Sequence, residues 1–130
     1  MASFADICGM KQDMAVKFGR AFGAGMGLGL TCGAVTGAFI VLGCSLGDVE
    51  KDDRKARYAS YGLAKDFRSR FEARRRTISC KELLGVDLGS PEGYKEAKDR
   101  GLFGTVCSGL VQDAAEILDE MIRPGVSPNG

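Results

Sequence analysis

Three cysteines in this 130-residue chain stand just behind a serine or threonine: Cys32 follows Thr31, Cys80 follows Ser79, and Cys107 lies two residues beyond Thr105. Serine and threonine are favoured at helix N-caps, because the hydroxyl accepts from a backbone N–H that has no partner inside the helix. The second case is the most specific, since Ser79-x-x-Glu82 has the form of a capping box. All three thiols are therefore expected in the first turn of a helix. Unpaired amides and the positive end of the helix dipole favour thiolate over thiol there. A thiolate attacks disulfides, reacts with oxidants and binds soft metals. Three that converge would suit an iron–sulfur cluster or a metal ion, or a nucleophile with a resolving partner. Without convergence each is a small buried apolar residue. The chain would then be a helical interaction module whose long charged helix docks a partner.

The rest of the composition narrows the choice. The chain has no histidine, so a Ser-His-Asp or Cys-His catalytic arrangement within one chain is excluded. A closed zinc site, usually built from four Cys or His ligands, is less favoured than iron–sulfur or dithiol chemistry. The start, MASFADICGMKQD, has no apolar run of a secretory signal. With five cysteines, an odd number, this points to a reducing, cytoplasmic setting in which grouped thiols mean metal or redox chemistry more often than structural disulfides. The net charge of +1 gives no field to draw in nucleic acid. Arg74, Arg75 and Arg76 read as a solvated helix end.

The elements that must position the thiols follow from periodicity. Residues 11–22 form a first helix, with Met14, Ala15, Phe18 and Phe22 on one side. Residues 21–47 carry no charge, but eight of those 27 positions are glycine. Glycine costs about 1 kcal/mol per helical position relative to alanine, so residues 23–30 are expected as a loop and 31–46 as a separate helix, apolar nearly all round and therefore central. That helix is too short to span a membrane comfortably. Gly33-x-x-x-Gly37 would let a neighbour pack closely on it. Residues 49–75 form a long amphipathic helix with Ala56, Ser60, Leu63, Phe67 and Phe71 on its apolar face. A short helix runs from Cys80 to Leu84 and stops at Gly85. Another opens at Ser90-Pro91 and ends at Gly101. The last covers 105–123, with 124–130 a loose tail. The expected fold is all-α, a single domain built as a compact bundle of about five to six helices around the glycine-rich apolar one.

Two cysteines remain. Cys44 lies twelve residues beyond Cys32 on the same helix, about 18 Å away at 1.5 Å per residue, and reads as core. Cys8 lies in a short N-terminal segment and is open to either reading.

Phe22-Gly23-Ala24-Gly25-Met26-Gly27, then Thr31-Cys32-Gly33-Ala34-Val35-Thr36-Gly37-Ala38, and downstream Phe67, Phe71, Cys80-Lys81-Glu82-Leu83-Leu84-Gly85 and Cys107, together resemble the redox-active protein family named for its C_GCAxxG_C_C pattern. The resemblance runs from about residue 13 to 121. It implies a helical domain with four cysteines and redox or iron–sulfur chemistry. Cys32, Cys80 and Cys107 match three of the four, as ligands or redox thiols. Independently of the resemblance, the glycines of 23–29, Gly25 and Gly27 among them, would let backbone approach such a site closely because glycine has no Cβ, or they form a plain helix-to-helix loop. The family's first cysteine belongs to a helix ahead of the glycine-rich loop. Either residues 1–10 are the remnant of that helix and the chain begins late, or Cys8 takes the fourth place. An unidentified redox partner protein is expected, and the apolar glycine-rich helix could serve a homodimer.

Overall fold

The structure is a computed structural model that describes residues 1–123. The tail expected at 124–130 lies outside the described residues. Six α-helices account for most of the described residues: α1 Gln12–Gly19, α2 Gly33–Cys44, α3 Arg54–Arg75, α4 Cys80–Leu84, α5 Pro91–Asp99 and α6 Ser108–Ile122. The fold is all-α, and among the described residues the only β pairing is a single antiparallel bridge between Thr31 and Ser79.

The helix α2 is the axis of the molecule. Its sequence, GAVTGAFIVLGC, has no polar face to turn to water, so it is covered on several sides. Both α3 and α6 pack against it and against each other. Val35, Val41, Phe67, Phe71 and Ile117 are completely buried in the resulting three-helix core. The ring of Phe39 meets Phe67 edge-on at 6.0 Å, and Phe67 stacks with Phe71 at the same distance. A smaller second cluster gathers Cys80, Leu84, Val86, Leu88, Ala97 and Leu102 under α4 and α5. Val106 packs against both clusters and marks their seam.

Local capping explains most of the boundaries. The Ser79 hydroxyl accepts from Glu82 N–H at the start of α4, and Gly85 ends that helix at φ 72°. Ser90 caps α5 by accepting from Gly93 N–H, with Pro91 in the first turn. The α3 helix begins at Arg54 instead of residue 49, because 48–53 carry Asp48, Asp52 and Asp53 in a turn where Asp52 binds Arg54. Of the arginine run after Phe71, Arg76 is the exposed helix end, at φ 73°, but Arg74 and Arg75 are not simply solvated. Arg74 contacts Asp113, Glu116 and Glu120, and Arg75 contacts Asp113, so this network clamps α3 to α6.

The N-terminal segment is folded down as well. Ala2–Phe4 forms one 3-10 turn, Phe4 is buried in the main core, and Arg123 lies over its ring at 5.0 Å while pairing with Asp6. No helix of the described residues is long and apolar enough to cross a membrane.

Because Phe67 touches Phe39 and Phe71 within a packed core, truncating it leaves a cavity that the surrounding helices cannot close. Phe67→Ala is expected to lower the unfolding free energy by about 3–5 kcal/mol, read as a fall in the urea midpoint with an unchanged slope.

Candidate functional site

The bridge between Thr31 and Ser79 organises the cysteines. Cys32 N–H donates to the Ile78 carbonyl at 2.8 Å, and Cys80 N–H donates to the Leu30 carbonyl at 2.6 Å. These two bonds flank the Thr31–Ser79 pair, as in the wider-spaced half of an antiparallel ladder. Side chains alternate faces along such a segment, so Cys32 and Cys80 share the face opposite Thr31 and Ser79. Cys32 lies across from Ile78, which makes Cys80 its diagonal neighbour. Diagonal pairs have Cα atoms about 7–8 Å apart, within reach of each other's side chains.

The third thiol comes from a third element, on the same side of the seam as Cys80. Phe103–Cys107 is a wide helical turn that runs straight into α6, and Cys107 packs against the cluster containing Cys80. All three thiols are free, Cys32 and Cys80 buried and Cys107 half-buried. They are close enough for charge on one to oppose charge on another: Cys80 feels both Cys32 and Cys107, and Cys107 feels Cys32.

Their placement at helix starts holds for two of the three. Cys80 is the first residue of α4, as its capping box implies. The box is relayed through a third residue. Ser79 N–H donates to the Thr77 hydroxyl, and that hydroxyl donates to the Glu82 carboxylate. Cys32 is itself the N-cap of α2, in place of Thr31. Cys107 is not at a helix start. The chain is helical from Leu102 onward because Gly101, at φ 68°, ends α5 and lets the next helix begin at once. Thr105 bonds back to the Gly101 carbonyl instead of capping forward.

The electrostatic outcome is opposite to the sequence expectation of thiolates. Burial pushes the Cys32 thiol above its ordinary range, and the backbone amides of Ala34 and Val35 pull it down by less. Burial, then the neighbouring Cys32, Cys107 and Asp87, raise Cys80 to about 11. Burial and Cys32 raise Cys107 too. Desolvation wins because the helix ends have little left to offer. The α4 helix is only five residues long, its first amide is already bonded to Leu30, and Cys107 has continuous helix on both sides.

The glycine-rich segment is a wall of the site. Ala24, Gly25, Met26 and Gly27 are consecutive left-handed residues, and Leu30 N–H closes the turn onto the Gly25 carbonyl. A Cβ on Gly25 would stand 3.0 Å from the Cys80 Cβ and collide with the Leu30 amide. Gly27 faces open space. Gly33 and Gly37 admit close neighbours, but these are the Phe22 carbonyl and the Met1 side chain, not a second helix packed along the stripe.

Cys8 and Cys44 depart from both of their sequence readings. They are joined as a disulfide, with Cα atoms 4.9 Å apart. Cys44 is thus not a free core thiol, and Cys8 is not available as a fourth ligand. No sequence signal pairs them. The contact arises because the N-terminal turn folds across the far end of α2. Among the described residues, no three His, Cys, Asp or Glu side chains are arranged to hold a metal ion.

Two outcomes follow for the thiol set. Gly25→Ala should disturb the bridge first, read as faster alkylation of Cys80 by iodoacetamide in the native protein. The raised thiols also set a pH dependence. A thiol whose folded pKa exceeds its unfolded value near 9.0 adds stability below that value and loses it as pH rises toward about 11. The urea midpoint should therefore fall between pH 9 and 11, and less steeply in Cys80→Ala.

No curated protein and no solved structure matches the chain. One family model does, over residues 1–121, and that span takes in the glycine-rich turn, the bridge and all three free thiols. The chain belongs to the family described as putative redox-active protein (C_GCAxxG_C_C).

Proposed function

We propose that the chain is a thiol redox protein whose working centre is Cys32, Cys80 and Cys107, cycling between dithiol and disulfide states with a disulfide-bearing partner protein. What supports this reading is that three separate elements bring free thiols to two adjoining hydrophobic clusters, Cys32 in the main one, Cys80 in the second and Cys107 packed against the second, with Cys32 and Cys107 both opposing charge on Cys80. Membership of the family supports it. The dithiol form is preferred to an iron–sulfur cluster on the donor set. A cluster commonly takes four thiolates, Cys8 is already bonded to Cys44, and the three remaining thiols are not disposed around one ion.

Cys107 is the most accessible of the three and is the entry thiol. Its sulfur attacks one sulfur of the partner's disulfide, and that S–S bond breaks. The released partner thiolate takes up a proton, and Cys107 is left in a mixed disulfide. Cys80 then attacks the Cys107 sulfur, the mixed bond breaks, and the second partner thiol leaves with the proton that Cys80 gives up. The chain gains one disulfide, and the partner gains two thiols. Cys32 tunes Cys80 from its diagonal position on the bridge. Closing a disulfide calls for Cα atoms within about 4.4–6.8 Å, and the wide turn bearing Cys107, exposed over residues 103–105, is the element with the freedom to adjust to that span. With both thiols protonated at neutral pH, oxidation releases two protons for two electrons.

The midpoint potential of the centre should therefore fall by about 59 mV per pH unit from pH 6 to 9, twice the 29.6 mV that a tenfold change carries in a two-electron couple. Redox titration followed by mass mapping should find a Cys80–Cys107 disulfide, and Cys107→Ser should abolish it. Anaerobic purification is the counter-test. A coloured protein containing iron and sulfide would replace the dithiol reading with a cluster, and inert thiols without metal would leave only an interaction module.

A further inference from the structure

The disulfide at the far end of α2 lies outside that centre. Cys8 and Cys44 are both half-buried, and both line an open cavity of about 660 Å³ together with Ile7, Phe39, Ile40 and Val49. One wall is the connection from Ser45 to Asp53, which has no regular helix and is exposed throughout. A sulfur pair in the wall of an open cavity is accessible to an incoming thiol without unfolding of the core. We propose that Cys8–Cys44 is a second, independent thiol–disulfide exchange site, that it is reduced by an external dithiol, and that its acidic rim selects neutral or cationic thiols over anionic ones.

The direction of attack follows from the surroundings of the two sulfurs. Cys44 is the last residue of α2, where the carbonyl end of the helix opposes negative charge, and Asp48 follows it on the cavity wall. Cys8 lies in a short turn, held by its amide to the Ala5 carbonyl. Thiolate is therefore less disfavoured on Cys8, and the better leaving group departs faster. The incoming sulfur bonds to Cys44, the Cys8–Cys44 bond breaks, and Cys8 leaves as a thiolate that is protonated from water. The second thiol of the reductant then attacks its own mixed disulfide and frees Cys44. The chain gains two thiols, and the dithiol becomes a disulfide.

The selectivity follows from the charges that face the cavity. Among the described residues, the charged side chains lining it are Asp6 and Asp48. Arg123 pairs with Asp6 and offsets its charge, whereas among the described residues Asp48 has no ion-pair partner. A unit charge about 7 Å away in water alters an encounter by roughly threefold in either direction. The cation-to-anion ratio at this disulfide should then be about fivefold or more.

The test uses the oxidised full-length chain and three probes: cysteamine, 2-mercaptoethanol and mercaptoacetate. Each rate is divided by that thiol's rate with hydroxyethyl disulfide. Acid quenching and mass mapping of the peptides containing Cys8 and Cys44 keep the readout separate from Cys32, Cys80 and Cys107. The expected result is an adduct on Cys44 in the native protein and a normalised cysteamine rate about fivefold above mercaptoacetate at low salt. That ratio should collapse in Asp48→Asn, and equally for the native chain in about 0.5 M NaCl, where screening is nearly complete beyond a few ångströms. Reduction that occurs only under unfolding conditions would overturn the exchange site. Equal normalised rates would overturn the charge selection, and an adduct on Cys8 would overturn the direction of attack.

Discussion

Two hydrogen bonds, from Cys32 to Ile78 and from Cys80 to Leu30, tie the start of α2 to the start of α4. The geometry of the candidate centre depends on them. They set the register in which both cysteines face the same way. They also draw the glycine-rich turn against Cys80, because Leu30 is at once the last residue of that turn and the acceptor for Cys80. The demand on sequence is steep. Gly25 has room for no Cβ beside Cys80, and Gly33 has none beside the Phe22 carbonyl. Glycine at these positions answers a close backbone approach, in addition to the positive φ of 60° that Gly25 adopts.

Burial and the helix ends compete over the protons of these thiols, and the magnitudes decide the outcome. An N-cap or first-turn cysteine gains from nearby amides, and Ala34 and Val35 do lower the Cys32 thiol. The seam between the two clusters takes away more. Cys32 and Cys80 are 8% and 6% exposed, so a thiolate at either would lose most of its hydration. Each ionised neighbour would add repulsion. The three sulfurs together therefore hold their protons near neutral pH, and reactivity depends on whatever uncovers Cys107 or removes a proton from it.

The sequence announces local features well. The end of α4 at Gly85, the Ser90-Pro91 opening of α5 and the central role of α2 rest on caps and periodicity, which act within a few residues of the chain. What it hides is long-range or depends on competition. The Cys8–Cys44 pair needs the N-terminal turn to fold across α2. The arginine clamp needs Asp113, Glu116 and Glu120 to arrive on α6, 39 to 46 residues later, so from sequence alone Arg74 reads as solvated. Thr105 has the residue type of a cap for a helix start, but Gly101 ends α5 in a left-handed conformation and the next helix begins at Leu102. The raised thiols are of the same kind, since a cap motif is visible in sequence and desolvation is not.

The disulfide also bears on the strained turn within the stretch it closes. It closes the stretch from Cys8 to Cys44, a separation of 36 residues, and that stretch contains the left-handed run 24–27. Ala24 and Met26 adopt left-handed backbone without being glycine, at φ 54° and 62°. Each costs about 1–2 kcal/mol. A cross-link over a loop of this length restricts the unfolded chain by about 4 kcal/mol in the chain-entropy picture. The two quantities are of the same size and opposite sign, so the far disulfide offsets the strain that holds Gly25 against Cys80. Sulfur exchange needs direct contact, and about twelve residues of helix at 1.5 Å each keep Cys44 about 18 Å from Cys32. The two sulfur systems are chemically separate, yet the fold links them, because the oxidised pair stabilises the segment whose strained turn walls the thiol centre.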